Sequence, residues 1–215
     1  MLCQTQPERA TGNSGQLYLI AGLGNPGSRY AATFHNCGFM ALDRLAQLFA
    51  VKVNKARFKG VYGRGTACGR QVILLKPETF MNNSGQSLSA AVAYFKVPLD
   101  QVLLLYDDVD IPLGQIRIRE KGGPGTHNGM RSVVSALASQ QFPRIRIGIG
   151  PQPAAMDIAD YVLSRVSPAQ QLLLDQALQQ VAEAVPLWLE HDIQLAMNRV
   201  NPSRPHHKEA QQPDA

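Results

Sequence analysis

Residues 17–38 read LYLIAGLGNPGSRYAATFHNCG, and this stretch decides the class of fold. Leu17 to Ala21 is a short apolar strand with polar residues before it and Gly22 after it. A glycine-proline turn carrying Asn25 follows. His35-Asn36 then stands at the mouth of a helix whose apolar stripe runs through Phe39, Leu42, Leu45, Ala46 and Phe49. Asn36 is expected to cap that helix, with His35 just ahead of it. Strand, tight loop and helix start are the parts from which an α/β protein builds a site, because binding groups gather at strand C-termini and helix N-termini.

Gly22-Leu23-Gly24-Asn25-Pro26-Gly27 formally matches GxGxxG. A dinucleotide fold needs the helix to begin at the last glycine and an acidic residue to end a second strand about 20 residues on. Here Pro26-Gly27-Ser28 favours a turn, and Asp43 lies inside the helical pattern.

Further strands are expected at residues 71–75 (QVILL), stopping at Lys76-Pro77, and at 102–105 (VLLL), all aliphatic as in a strand buried on both faces. Residues 115–119 alternate Gln, Ile, Arg, Ile, Arg, with one basic and one buried face, and 144–149 read RIRIGI. Residues 51–70, interrupted by four glycines, suggest a hairpin or irregular edge. Helices are expected through Leu88 to Phe95, through Met130 to Leu137, and from Ser167-Pro168, where a cap, a proline and Gln170 make a clean start. Pro186 is expected to kink or divide this last helix. The alternation predicts a single α/β domain over residues 16–200, with helices on both faces of a partly antiparallel sheet. Polar tails of 1–15 and 201–215 flank it.

The chain of 215 residues is 45% hydrophobic and 17% charged, a globular composition. No run approaches the length of a membrane span, and the N-terminus lacks the plan of a secretory signal. Three cysteines, with no CxxC spacing, fit a reducing, cytoplasmic compartment. Cys37, two residues past His35, is expected in helix packing. The net charge of +5 favours polyanionic partners only weakly. Its distribution says more: between Ile111 and Gly150, Arg117, Arg119, Lys121, Arg131, Arg144 and Arg146 face a single acid, Glu120.

Loops at four element junctions carry Asn25 and His35, Met81-Asn82, Asp107, and His127-Asn128 within the glycine-rich run KGGPGTHNG. Asp107, Asp108 and Asp110 at a central strand end suggest a metal site or the partner of a histidine, but no DxDxDG or HExxH pattern completes a metal site.

In GLGNPGSRYAATFHNCG, KPETFMNNSGQ, LLLYDDVDIPLG, KGGPGTHNG and RIRIGIGPQP, taken in this order, the chain resembles bacterial-type peptidyl-tRNA hydrolases from Leu17 to about Val200. The resemblance implies a three-layer α/β/α domain around a twisted mixed sheet. It also implies a monomer acting without metal or cofactor on the peptide–ribose ester at the 3' end of peptidyl-tRNA, with the acceptor stem bound alongside. It places the catalytic histidine on His35, its carboxylate partner on Asp107, and site asparagines on Asn25, Asn82 and Asn128. Met81 falls on the peptide side and Tyr30 near the scissile ester. His127 lies with the substrate-binding groups. Arg119 and Arg146 match the grip on the terminal phosphate, with Arg117 and Lys121 adding field. Phe34, Tyr106, Pro124 and Thr126 depart from common members without removing a catalytic group. Non-hydrolytic relatives that bind RNA are the rival reading.

An imidazole, with an ordinary pKa near 6.5, suits removal of a proton from water. Amides match peptide groups without the desolvation cost of a charge. A free amino group on an aminoacyl-tRNA lacks the second peptide bond, which offers a basis for discrimination.

Overall fold

Each apolar run identified above is a strand of one sheet in the computed structural model, which describes residues 16–201. The strands are β1 (Leu17–Gly22), β2 (Lys55–Arg57), β3 (Gly60–Ala67), β4 (Arg70–Pro77), β5 (Val102–Pro112), β6 (Ile116–Arg119) and β7 (Arg144–Gly150). The helices are α1 (Cys37–Leu48), α2 (Ser84–Phe95), α3 (Asn128–Leu137), α4 (Ile158–Leu163), α5 (Pro168–Glu190) and α6 (Ile193–Val200). The sheet order is β2-β3-β4-β1-β5-β7-β6. β4, β1, β5 and β7 are parallel, and β2, β3 and β6 are antiparallel at the edges.

The aliphatic character of β1 has a direct cause. Tyr18 and Ile20 enter the core shared with α1 and α5, while Leu19 and Ala21 enter the core shared with α2 and α3. Both faces are covered, so no polar alternation survives. The layers are α/β/α, as expected, and the C-terminal ends of the parallel strands form one edge from which the loops rise. At the opposite end of the strand order, β2 is an exposed edge carrying Lys55 and Arg57, charges that discourage pairing with another chain.

Four local expectations change. Asn36 makes no side-chain cap bond to α1; its amide is engaged elsewhere, as described below. β5 does not stop at Leu105 but runs through the acidic residues to Pro112, with a register shift between Asp108 and Pro112. Of the two alternatives at Pro186, division does not occur there: the residue lies within α5, which continues to Glu190, with Trp188 and Leu189 beyond it buried in the core. Asn201, expected in a surface tail, accepts from Ile118 N–H (2.7 Å) and donates to Ile118 O (3.1 Å), satisfying the open edge of β6. The rest of both tails lies outside the described residues. The capping box at Ser167 and Gln170 is present.

Gly22 and Gly38 explain how α1 sits so close to the sheet. A Cβ on Gly38 would lie 2.4 Å from Leu105 O and 2.5 Å from Leu23 O, and one on Gly22 would lie 2.2 Å from Gly38 O. The contact is backbone on backbone and cannot yield locally. Gly38→Ala is therefore expected to cost about 1–3 kcal/mol, read as a lower urea midpoint, and to lower activity by displacing His35 three residues away.

Candidate active site

The turn after β1 presents Asn25 through a chain of amide contacts. Asn36 Oδ1 accepts from Asn25 N–H (2.8 Å) and Asn36 Nδ2 donates to Asn25 O (3.0 Å). Asn25 Oδ1 in turn accepts from Met81 N–H (2.8 Å). Since a backbone N–H can only donate, this contact fixes which way the Asn25 amide is turned. Asn36 is thus a brace for Asn25, and α1 begins ten residues after Gly27, too late for a dinucleotide loop.

His35 lies in the 3-10 turn Phe34–Asn36 that leads into α1. Its Nδ1 is 2.8 Å from Asp107 Oδ2, while the other carboxylate oxygen, Oδ1, is 3.1 Å from His127 Nε2. Asp107 is 2% exposed. Burial alone would raise its carboxyl, but the charges of and hydrogen bonds from His127 and His35 outweigh it and hold the group well below the usual carboxylate range. Among the described residues this is the one cluster of histidine, cysteine or acidic groups whose ligand-type atoms all lie within 4.8 Å. Within it, His35 Nδ1 and His127 Nε2 each meet one oxygen of Asp107. Cys37 is fully buried and its thiol is pushed well up, chiefly by burial, so it is packing, as expected.

These groups line a cleft of about 550 Å³ with Met81, Lys121, the loop to Asn128, Arg119, Arg144 and Arg146. Tyr30, Asn82 and Arg117 do not line it. Tyr30 meets Phe80 edge-on at 6.4 Å, and Asn82 is exposed beside the buried Met81. Asn128 is exposed in the first turn of α3, with Arg131 Nη1 at 3.4 Å from its Oδ1.

The arginines divide by role. β6 and β7 pair Arg117 with Arg146 and Arg119 with Arg144, four like charges on one face of the sheet. Such opposed cations repel unless something compensates. Arg144, 1% exposed, donates to the carbonyls of Gly122, Gly123, Gln140 and Phe142 and lies 4.3 Å over the Phe142 ring. It shapes the glycine-rich loop and is not available to a ligand. Arg146 Nε pairs with Asp108 Oδ2 at 2.5 Å, and its Nη2 lies 3.9 Å from Asp110. Burial works against the charge of Arg146, but the Asp108 contact outweighs it and raises the group. Of the three strand-end carboxylates, only Asp107 serves the histidines. Tyr106, pushed up to about 12 mainly by burial, stays a phenol and packs its ring 5.0 Å from that of His127.

Sequence reasoning missed one wall of the cleft and one strained residue near it. Helix α4 supplies Ile158, Ala159, Val162 and Leu163 to the cleft, with Tyr161 OH bonded to Ile149 O. Asp157 caps it by accepting from Ala159 N–H, a signal readable in the run DIADYVL. Phe80, 55% exposed, has φ +57° and ψ 158°. Only glycine adopts such a backbone at low cost, and residues strained in this way cluster at functional sites. No sequence signal marked it.

The family profile described as peptidyl-tRNA hydrolase matches residues 19–210. The peptidyl-tRNA hydrolase of Synechococcus sp. (strain JA-2-3B'a(2-13)) is 48% identical over 187 residues, covering 86% of this chain and 84% of the relative. That of Caldanaerobacter subterraneus subsp. tengcongensis is 48% identical over 185 residues, covering 86% of this chain and 100% of the relative. The crystal structure of peptidyl-tRNA hydrolase from Acinetobacter baumannii superposes with a TM-score of 0.82 at 36% identity, over 88% of this chain and 96% of that one. On a match that spans most of its length, the chain belongs to the peptidyl-tRNA hydrolase family.

Proposed function

We propose that this chain hydrolyses the ester between the peptide and the 3'-terminal ribose of peptidyl-tRNA, with His35 as general base on water. The observation that carries the mechanism is the 2.8 Å contact between His35 Nδ1 and Asp107 Oδ2 in the wall of the cleft. With Nδ1–H donated to a carboxylate that stays ionised, the lone pair of Nε2 is free to take a proton. Water gives that proton to Nε2 as its oxygen attacks the ester carbon. Asp107 stabilises the imidazolium that forms, and the proton passes to the departing ribose oxygen. Water as nucleophile leaves no acyl-enzyme to clear.

Asn25 supports this as a donor. Its Oδ1 already accepts from Met81 N–H, which leaves the Nδ2 end for the ester oxygen, where negative charge develops. Asn82 and Asn128, exposed at the starts of the second and third helices, suit the peptide's carbonyls and N–H groups, with Met81 beneath them. His127 lines the same cleft, and Tyr30, edge-on to Phe80, is the aromatic group we assign to the neighbourhood of the ester. Arg119, Arg146 and Lys121 suit the terminal phosphate, with Arg117 adding charge from the same strand. A tRNA-bound substrate in translation fits a cytoplasmic reaction, and one chain holds every group invoked, so we take the monomer as the working unit. No helix among the described residues is long and apolar enough to cross a membrane.

His35→Ala is expected to lower deacylation of N-blocked aminoacyl-tRNA by roughly 10²–10⁴-fold while tRNA binding persists; a mutant with full rate sinks the mechanism. Arg119→Ala is expected to raise KM more than it lowers kcat, and to reduce the slope of log affinity against log salt by about 0.7–0.9, checked by binding titrations across ionic strength. Asp107, depressed in the fold, contributes stability that is present above the unfolded carboxyl pKa of about 3.9 and lost as pH falls below it. Urea melts of the parent and Asp107→Asn should therefore differ most at neutral pH and converge below about pH 4.

A further inference from the structure

We propose that His127 is a positioning residue: as the cap of α3 it is locked in the Nε2–H tautomer, and from there it clamps the second oxygen of Asp107. The inference rests on the reading of His35 as the base. Its grounds are geometric. His127 Nδ1 accepts from Met130 N–H at 3.1 Å, the capping bond of α3. A ring nitrogen that accepts carries no proton, so the neutral ring holds its hydrogen on Nε2, and Nε2 lies 3.1 Å from Asp107 Oδ1. The helix start and the catalytic carboxylate thus depend on one ring in one tautomer. A ring with Nδ1 protonated would have no acceptor there for Met130 N–H.

The ring has little room to leave this position. It lies 5.0 Å from the His35 ring and 5.0 Å from the Tyr106 ring, and a Cβ on Gly129 would fall 2.9 Å from its Cε1. Without the bond from His127, Asp107 can turn about Cβ–Cγ and meet His35 through either oxygen. Its full charge then faces His35 alone. The charged and titratable groups around Asp107 are His35 ahead of α1, Cys37 in α1, Tyr106 and Asp108 on β5, Arg144 and Arg146 on β7, and His127 itself. Of these, only the two histidines bond the carboxylate directly. His127 therefore does two things: it selects which oxygen His35 meets, and it shares the charge that His35 feels.

The variant His127→Asn separates the two bonds. Asparagine is among the best helix caps but is too short to reach Asp107. Full-length His127→Asn is expected to melt within a few degrees of the parent. Its kcat on N-blocked aminoacyl-tRNA should fall roughly ten- to a hundredfold, as for loss of one charge-assisted hydrogen bond. The acid limb of kcat/KM should move to higher pH, because an unshared Asp107 charge favours the imidazolium. His127→Gln, whose amide N–H has the reach of Nε2, should recover part of kcat and return the limb toward the parent. Parental kcat and limb in His127→Asn, or a loss that follows melting temperature with an unmoved limb, overturns the inference. Activity retained in His35→Ala instead overturns the reading of the base, so the two failures are distinct.

Discussion

A carboxylate removed from water must be compensated where it lies, and Asp107 is compensated by two imidazoles. That constraint organises the functional end of the molecule. It needs a central strand, β5, to carry the acid into the interior, and a 3-10 turn ahead of α1 to deliver His35. It also needs the first turn of α3 to deliver His127 from the far side. Three elements remote in sequence meet at the C-terminal edge of the sheet because each brings a polar group that the buried charge requires.

The same logic of satisfied polar groups explains the loops around it. A glycine-rich run such as KGGPGTHNG has little side-chain packing to hold its shape. Arg144 supplies what is missing, bonding two carbonyls of the loop and two more from the segment leading into its own strand. Four arginines on one sheet face are costly as neighbours. The cost is reduced by burying one against carbonyls and pairing another with Asp108 and Asp110. What remains at the cleft is a graded set of cations rather than a uniform patch, with Lys121 exposed at the loop's start.

The opening GLGNPG has the look of a phosphate cradle, yet its geometry serves an amide. Gly22 permits the backbone of α1 to approach, and the turn hands Asn25 to Asn36 and Met81. A pattern of glycines specifies close approach and unusual backbone; it does not specify what approaches. That is why the same spacing occurs in two chemistries.

By itself the sequence determined the class of fold and nominated a cast for the site. Aliphatic runs of four or five residues are too short for helices and read as buried strands, and helix stripes with clear caps fix their own faces, because these signals depend on neighbours a few residues apart. His35, Asp107, Asn25 and the asparagine loops were legible for a related reason: polar residues at strand ends and helix starts have few purely structural uses in combination. Only the tertiary structure decided who bonds whom. Asn36 braces a turn instead of capping a helix, Arg144 is a strut for the glycine-rich loop, and His127 faces the Asp107 carboxylate. Phe80's strained backbone and α4's place in the wall are likewise products of assembly. In each case the deciding partner lies distant in sequence or in backbone geometry that composition does not encode, and a hydrogen bond is settled by an ångström of position that local pattern cannot carry.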